Sequence, residues 1–253
     1  MRQGFVIPVY NHGNTLESVV SALNQYQLPI IVVDDGNDQA NKNFIQAAAR
    51  KFQNITLVTN KRNRGKGWSV CRAVKLAHQM GITHLFQIDA DGQHDSQSAC
   101  RDFLETSKAN PDALICGVPE FDSTLPSARA KAKKFSNFWT ECTAVSWGEI
   151  PDGMCGYRIY PVESFYKISR RALIDSHMGF DAEILVRMIW AGVPVIYKSV
   201  RVTYPEGGKS NFRVVRDNIH ISFTFTRLFF GMLLRYPWLK AMQIKRRKQK
   251  ESQ

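Results

Sequence analysis

Residues 83–95 read THLFQIDADGQHD, an apolar run that passes into Asp89, Asp91 and Asp95 within seven positions. A short run rich in β-branched and aromatic side chains, closed by turn formers, is a strand signal. Carboxylates this close repel one another unless something positive joins them. In open parallel sheets, ligands bind beyond the carboxyl ends of the strands. The stretch therefore predicts a strand and also the edge on which a site is built. GFVIPV (4–9) runs in the same way into Tyr10 and Asn11, and IIVVDD (30–35) ends in Asp34 and Asp35. ITLVTN (55–60) and ALICGV (113–118) are of the same kind. Between them, 15–26, 39–52, 67–80 and 96–109 carry helical periodicity, as Leu16, Val19, Val20 and Leu23 show. Such alternation predicts an α/β protein whose mainly parallel sheet is covered by helices on both faces.

The 253 residues, 44% hydrophobic and 11% aromatic, suit a globular chain with a sizeable core. The net charge of +12 asks for an anionic partner, and its position matters more than its size. Lys240, Lys245, Arg246, Arg247, Lys248 and Lys250 crowd the C-terminus against Glu251 alone. Five scattered cysteines (Cys71, Cys100, Cys116, Cys142, Cys155) form no close pair, which argues against a disulfide framework or a zinc site and fits a reducing cytosol. No secretory leader and no run of about 18 apolar residues is seen, so neither export nor a membrane span is expected.

Three motifs carry chemistry. In VVDDGND (32–38), Gly36 permits a tight turn and an Asp can accept from a ribose hydroxyl or a base N–H. The plain alternative is a solvated Asp-Gly turn. NKRNRGKGWSV (60–70) is a glycine-bearing basic loop entering a helix, where backbone N–H groups with Arg64 and Lys66 can cradle phosphates. It is neither a Walker loop nor a dinucleotide fingerprint. In DADGQHD (89–95), Asp89 and Asp91 can share a hard divalent cation, Mg2+ or Mn2+, that bridges to a diphosphate. Gln93 and His94 are near enough to join that shell.

In order and spacing, IPVYNHGNTL, VVDDGND, NRGKG and DADGQHD resemble the family 2 glycosyltransferases of the GT-A fold, above all the dolichyl- and polyprenyl-phosphate sugar synthases. PDGMCGYRIYP (151–161), MGFDAEIL (178–185) and YPEGGKSNF (204–212) extend the resemblance over most of the chain. The resemblance implies a nucleotide-diphosphate sugar donor and inverting hexosyl transfer. It assigns Pro8, Tyr10 and Asp35 to the nucleoside, Asp89 and Asp91 to metal and diphosphate with Gln93 assisting, and Asp181 with Glu183 to a second acidic pair. Asp152 opens the segment that lies near the acceptor. Arg64 or Lys66 can add positive charge for the leaving group. A hydroxyl acceptor needs a base, Asp152 first and Asp181 second; a phosphate acceptor needs none. Arg129, Lys131, Lys133 and Lys134 fall where relatives carry basic residues near a lipid phosphate, although a solvated helix face explains them equally. More loosely, GGKSNFRVVRDNIHISFTFTRLFFGML resembles the end of aryl-polyene pathway glycosyltransferases, which widens the acceptor to hydroxylated lipids and polyenes.

The C-terminus departs from the pattern. Many relatives carry transmembrane helices there, whereas this chain has FTFTRLFFGMLLRYPWLKAMQIKRRKQK, in which Arg227 and Arg235 interrupt the apolar residues. The composition is that of a helix lying in a membrane interface; packing on the catalytic domain or on a second subunit is the alternative. The sequence thus predicts a GT-A domain over 1–210 and an amphipathic basic segment over 211–253. The protein is expected to be peripheral on the cytosolic face of an anionic membrane, and a homo-oligomer is allowed. A nucleotide-sugar-binding protein without turnover is the rival reading. No nucleic-acid motif accompanies the charge, so nucleic acid is not expected as a partner.

Overall fold

The structure, a computed structural model, describes residues 1–93, 98–120, 127–202 and 214–251, the side chains of 98, 127–132, 214–216 and 246–251 excepted. His94, Asp95, the 204–212 segment, the 210/211 boundary, the side chains of Arg129 and Lys131, and those of the last basic residues lie outside the described residues.

A seven-stranded sheet has the order β3-β2-β1-β4-β6-β5-β7. Its strands are β1 (Gln3–Val9), β2 (Ile30–Asp34), β3 (Ile55–Thr59), β4 (His84–Gln87), β5 (Leu114–Glu120), β6 (Arg158–Pro161) and β7 (Val195–Arg201). Among the described residues, β6 alone pairs antiparallel, with β4 and with β5. The helices α1 (Gly13–Asn24), α2 (Gln39–Lys51) and α4 (Ser98–Ala109) cover one face. The other carries α3 (Lys66–Gln79), α6 (Val162–Arg171), α7 (Phe180–Trp190) and α8 (Val214–Leu233). α5 (Ser127–Ala144) packs on α7 and α8, and α9 (Tyr236–Glu251) follows α8.

Side chains of β1 alternate between the two cores: Phe5, Ile7 and Val9 meet α1, while Val6 meets α3. Because both faces are covered, the strands read as continuous apolar runs rather than as alternating ones. The expected mainly parallel α/β sheet is what forms.

β1 is flanked by β2 and β4, and the chain reaches β4 only after running out to β3, so the switch point lies between β1 and β4. Pro8 helps to open it. The β1–β4 register ends at Val6↔Gln87, with Ile88 donating to the Val6 carbonyl, whereas β1–β2 pairing continues through Pro8↔Val33. Proline has no N–H to give a second neighbour.

α8 belongs to the core. Ile221, Phe225, Leu228 and Met232 recur on one buried face and join the cluster that contains Phe180 and Leu185. Among the described residues, no helix is long and apolar enough to cross a membrane.

Candidate active site

The β2 end is locked before any ligand arrives. Asp34 Oδ1 accepts from the Asn37 backbone N–H (3.0 Å) and side-chain amide (2.7 Å). Asn37 in turn donates to the Val9 carbonyl and accepts from the Asn11 N–H. Asp35, 2% exposed, accepts from Asn60 Nδ2 (2.8 Å), the Arg64 N–H (2.9 Å) and the Gly65 N–H (2.8 Å). The carboxylate expected on the nucleoside thus also caps the loop that enters α3. Gly36 is required there: at φ +69° a Cβ would lie 2.1 Å from the Arg62 carbonyl carbon. Pro8 and Tyr10 sit half-buried beside this turn. The Arg64 guanidinium stacks on Trp68 at 4.6 Å and lines a cleft of about 510 Å³ with Lys61, Arg62 and Arg72.

Lys66 reaches the centre of the site. Its Nζ lies 3.0 Å from both Asp89 oxygens and 3.1 Å from Asp181 Oδ2. Burial opposes its charge, but Asp181 and Asp89 outweigh burial and raise its pKa. Gln87 donates to Asp181 Oδ1 at 3.3 Å and accepts from the Tyr160 hydroxyl at 3.1 Å. Gly156 makes the arrangement possible, since a Cβ there would stand 2.3 Å from Lys66 Nζ and 2.7 Å from Gln87 Nε2. Asp91 is half-buried and accepts from the Gln93 N–H at 3.0 Å across Gly92, whose φ is +71°. Thr15 at the start of α1 donates to the Ala90 carbonyl, which fixes the turn to the opposite wall.

Asp152 is 4% exposed. Its Oδ1 accepts from the Met154 and Cys155 N–H groups at 2.8 Å each, and its Oδ2 meets Lys133 Nζ at 2.9 Å. Arg158, fully buried on β6, donates to the Gly153 and Asp181 carbonyls and so joins the Asp152 loop to the start of α7. Glu183 lies elsewhere. It is completely buried, bound by Arg187 on Oε1 and by Arg227 (2.6 Å) and the Asp175 N–H (2.7 Å) on Oε2. The structure thus gathers Lys66, Asp89 and Asp181 directly, and Asp152 through Arg158. It holds Glu183 in a separate cluster under α8.

Among the described residues, no three His, Cys, Asp or Glu side chains converge as a ready metal cage. The residues nevertheless fit a magnesium-type ion. Asp89 and Asp91 offer hard oxygens, and Asp89, with 27% of its side chain exposed, already faces a cation in Lys66. An ion of that type takes one or two carboxylates and completes its shell with water and substrate phosphate.

Gln87, Gly156, Arg158 and Tyr160 are absent from the sequence reading of the site. Gly156 and Arg158 fall inside the motif PDGMCGYRIYP, which was the available signal.

The open sheet with carboxylates clustered at its switch point defines a GT-A-type protein. Residues 5–169 match glycosyl transferase family 2, and the chain belongs to that family. It is a glycosyltransferase. Dolichyl-phosphate beta-glucosyltransferase of Dictyostelium discoideum is 24% identical over 87% of this chain and 73% of its own. Undecaprenyl-phosphate mannosyltransferase of Micrococcus luteus is 21% identical over 83% and 87%. Among solved structures, mannosyl-3-phosphoglycerate synthase from Rubrobacter xylanophilus superimposes with a TM-score of 0.65 at 14% identity, over 90% of this chain and 73% of that one. A mannosyltransferase from Pyrobaculum calidifontis, solved with GDP-Man and Mn2+, gives 0.58 at 16% identity, over 96% and 73%. These two likenesses establish the fold.

Proposed function

We propose that the chain moves a hexosyl group, with inversion, from a nucleoside diphosphate sugar to a lipid-like acceptor, a polyprenyl phosphate or a hydroxylated lipid, at a membrane surface. The observation that carries this reading is the Asp89–Lys66–Asp181 cluster at the switch point, with Asp91 two residues on in the chain. The relatives that act on dolichyl and undecaprenyl phosphates support the acceptor class, and the GDP-Man and Mn2+ of the Pyrobaculum enzyme support the donor and the ion.

In this reading Pro8, Tyr10 and Asp35 bound the nucleoside side, and Arg64 lines the adjoining basic cleft. Asp89 and Asp91, with Gln93 beside them, would hold Mg2+ or Mn2+. When bound, the ion neutralises charge developing on the diphosphate leaving group. Lys66 holds Asp89 and Asp181 in place and adds positive charge beside that group. The acceptor oxygen bonds to the anomeric carbon from the face opposite the diphosphate as the carbon–oxygen bond to the diphosphate breaks. With a hydroxyl acceptor the proton passes to Asp152 Oδ2, whose present partner is Lys133. A phosphate acceptor is already anionic, and Lys133 then serves as its counter-ion. Asp181 is the second candidate base. Glu183 acts through packing, not on substrate.

The test is release of nucleoside diphosphate from a panel of UDP- and GDP-hexoses with Mn2+ or Mg2+ present. One donor is turned over, and Asp91→Ala or EDTA abolishes the release while the melting temperature of Asp91→Ala stays near wild type. Binding of a donor without any release would make the chain a nucleotide-sugar-binding protein. Full activity of Asp91→Ala in saturating Mn2+ would remove the metal role.

A further inference from the structure

We infer that the outer faces of α5, α8 and the α8–α9 turn form one lipid-docking surface that seats the protein on an anionic bilayer. α8 carries large apolar side chains on two sides. Ile221, Phe225, Leu228 and Met232 are buried, while Ile219, Phe223 and Phe230 on the opposite side are 64%, 66% and 60% exposed. Asn218, Ser222 and Thr226 share that outer side, so it is a mixed face whose large apolar side chains suit a membrane interface better than water. At its end, LLRYPW (233–238) is exposed throughout, with Leu234 at 85% and Trp238 at 50%. The patch continues onto α5 through ring contacts. Trp147 meets Phe138, Phe138 meets Trp139, Trp139 meets Phe229, and Phe229 meets Phe230, with centroids 5.6–6.3 Å apart. Phe135, Phe138 and Trp147 are themselves about half exposed. An apolar patch shared by three elements is larger than scattered surface residues require.

The choice of lipid over a second copy follows from charge. Lys134 on α5, Arg235 in the α8–α9 turn and Lys240 and Lys245 on α9 are exposed; no Asp or Glu occurs between 218 and 250, and residues 133–150 add only the half-buried Glu141 and Glu149. A two-fold interface would set this basic surface against itself. Anionic headgroups would neutralise it, with the aromatic and leucine side chains below them. α5 also carries Lys133, the partner of Asp152, so docking this helix places the site beside the bilayer. The sequence placed membrane contact in the C-terminal segment; α5 and Trp147 extend it. The inference shares the membrane setting of the proposed function, but docking is measured without donor or acceptor.

The full chain is floated with phosphatidylcholine vesicles with and without phosphatidylglycerol, and its tryptophan emission is followed, Trp147 and Trp238 being the two exposed tryptophans on this face. Binding is expected to the anionic vesicles, with a blue shift and quenching by brominated acyl chains. Leu234→Asp and the pair Phe135→Ser/Phe138→Ser should each lower the affinity about tenfold, the effect of a change near 1.4 kcal/mol. Unchanged melting temperatures and unchanged donor hydrolysis show that these exposed substitutions leave the fold intact. Flotation of both variants equal to wild type overturns the inference. A dimer in solution that the same substitutions dissociate overturns it as well. Sugar transfer to a detergent-dispersed lipid without vesicle binding removes the docking surface and keeps the enzymatic reading. Vesicle binding without any donor turnover does the reverse.

Discussion

The Lys66 ammonium is shared by Asp89 and Asp181, so its removal leaves two carboxylates facing each other across a partly buried gap. Lys66→Met should destabilise the fold by about 2–3 kcal/mol, below the usual cost of breaking a fully buried pair because Asp89 is in part solvated. A divalent ion can restore the missing charge. Mn2+ is therefore expected to raise the melting temperature of Lys66→Met more than that of wild type. Equal shifts in the two proteins would mean that Lys66 is not the counter-ion of the acidic site. Gly156→Ala tests the same geometry differently. The new Cβ meets the ends of Lys66 and Gln87, both of which are held in ion pairs or buried hydrogen bonds, so stability should fall by about 1–3 kcal/mol. Turnover should still fall sharply, because Lys66 and Gln87 must leave their positions. Asp89 and Asp91 were legible because a strand end announces them. Gly156 was not, since what a glycine faces depends on the antiparallel entry of β6 between β4 and β5.

β6 itself escaped the strand pattern for a physical reason. RIYP is four residues long and begins with a charged side chain, yet Arg158 is buried because the Gly153 and Asp181 carbonyls receive its guanidinium. Arg227 has a role that the sequence did not show. In sequence it interrupts an apolar helix, and in the fold it pins α8 to α7 through Glu183. Glu183→Ala strands Arg187 and Arg227 together and should cost about 3–5 kcal/mol, the range for removing one partner of a buried pair. Arg227→Ala leaves Glu183 with Arg187 and the Asp175 N–H, and should cost about 1.5–3 kcal/mol, the range for losing a hydrogen bond to a charged group. Urea midpoints decide the order; a larger loss in Arg227→Ala would contradict this account of the cluster. Truncation before Ser222 would remove Phe225, Leu228 and Met232 from the core. The outer face of α8 must therefore be probed by surface substitutions rather than by deletion.

Element order through β5, the sheet class and the ligand edge were readable because both sheet faces are covered and those strands show as apolar runs. How α8 joins the same body was not, because one apolar stripe looks the same whether protein or lipid covers it. The thiols give a measure of that body as a whole. Burial, with Glu183 adding, pushes Cys71 up to about 12; burial, with Asp152 adding, does the same for Cys155; and burial brings Cys116 to about 11. The ordinary value is 9.0, and all three thiols are free. A folded-state pKa raised above the unfolded one gives stability that is present below pH 9 and is lost as pH rises, because above pH 9 the unfolded chain binds fewer protons. Between pH 9 and 10 the slope should approach about 1.4 kcal/mol per pH unit for each such thiol. That window lies below the usual 10.0 of the buried tyrosines Tyr160 and Tyr197 and the 10.5 of Lys66. Cys116 packs with one core and Cys155 with the other. If the two cores unfold as one unit, Cys116→Ala and Cys155→Ala will each flatten the pH dependence of the urea midpoint by a similar amount. Flattening by one substitution and not by the other would show that the two sides of the sheet open separately.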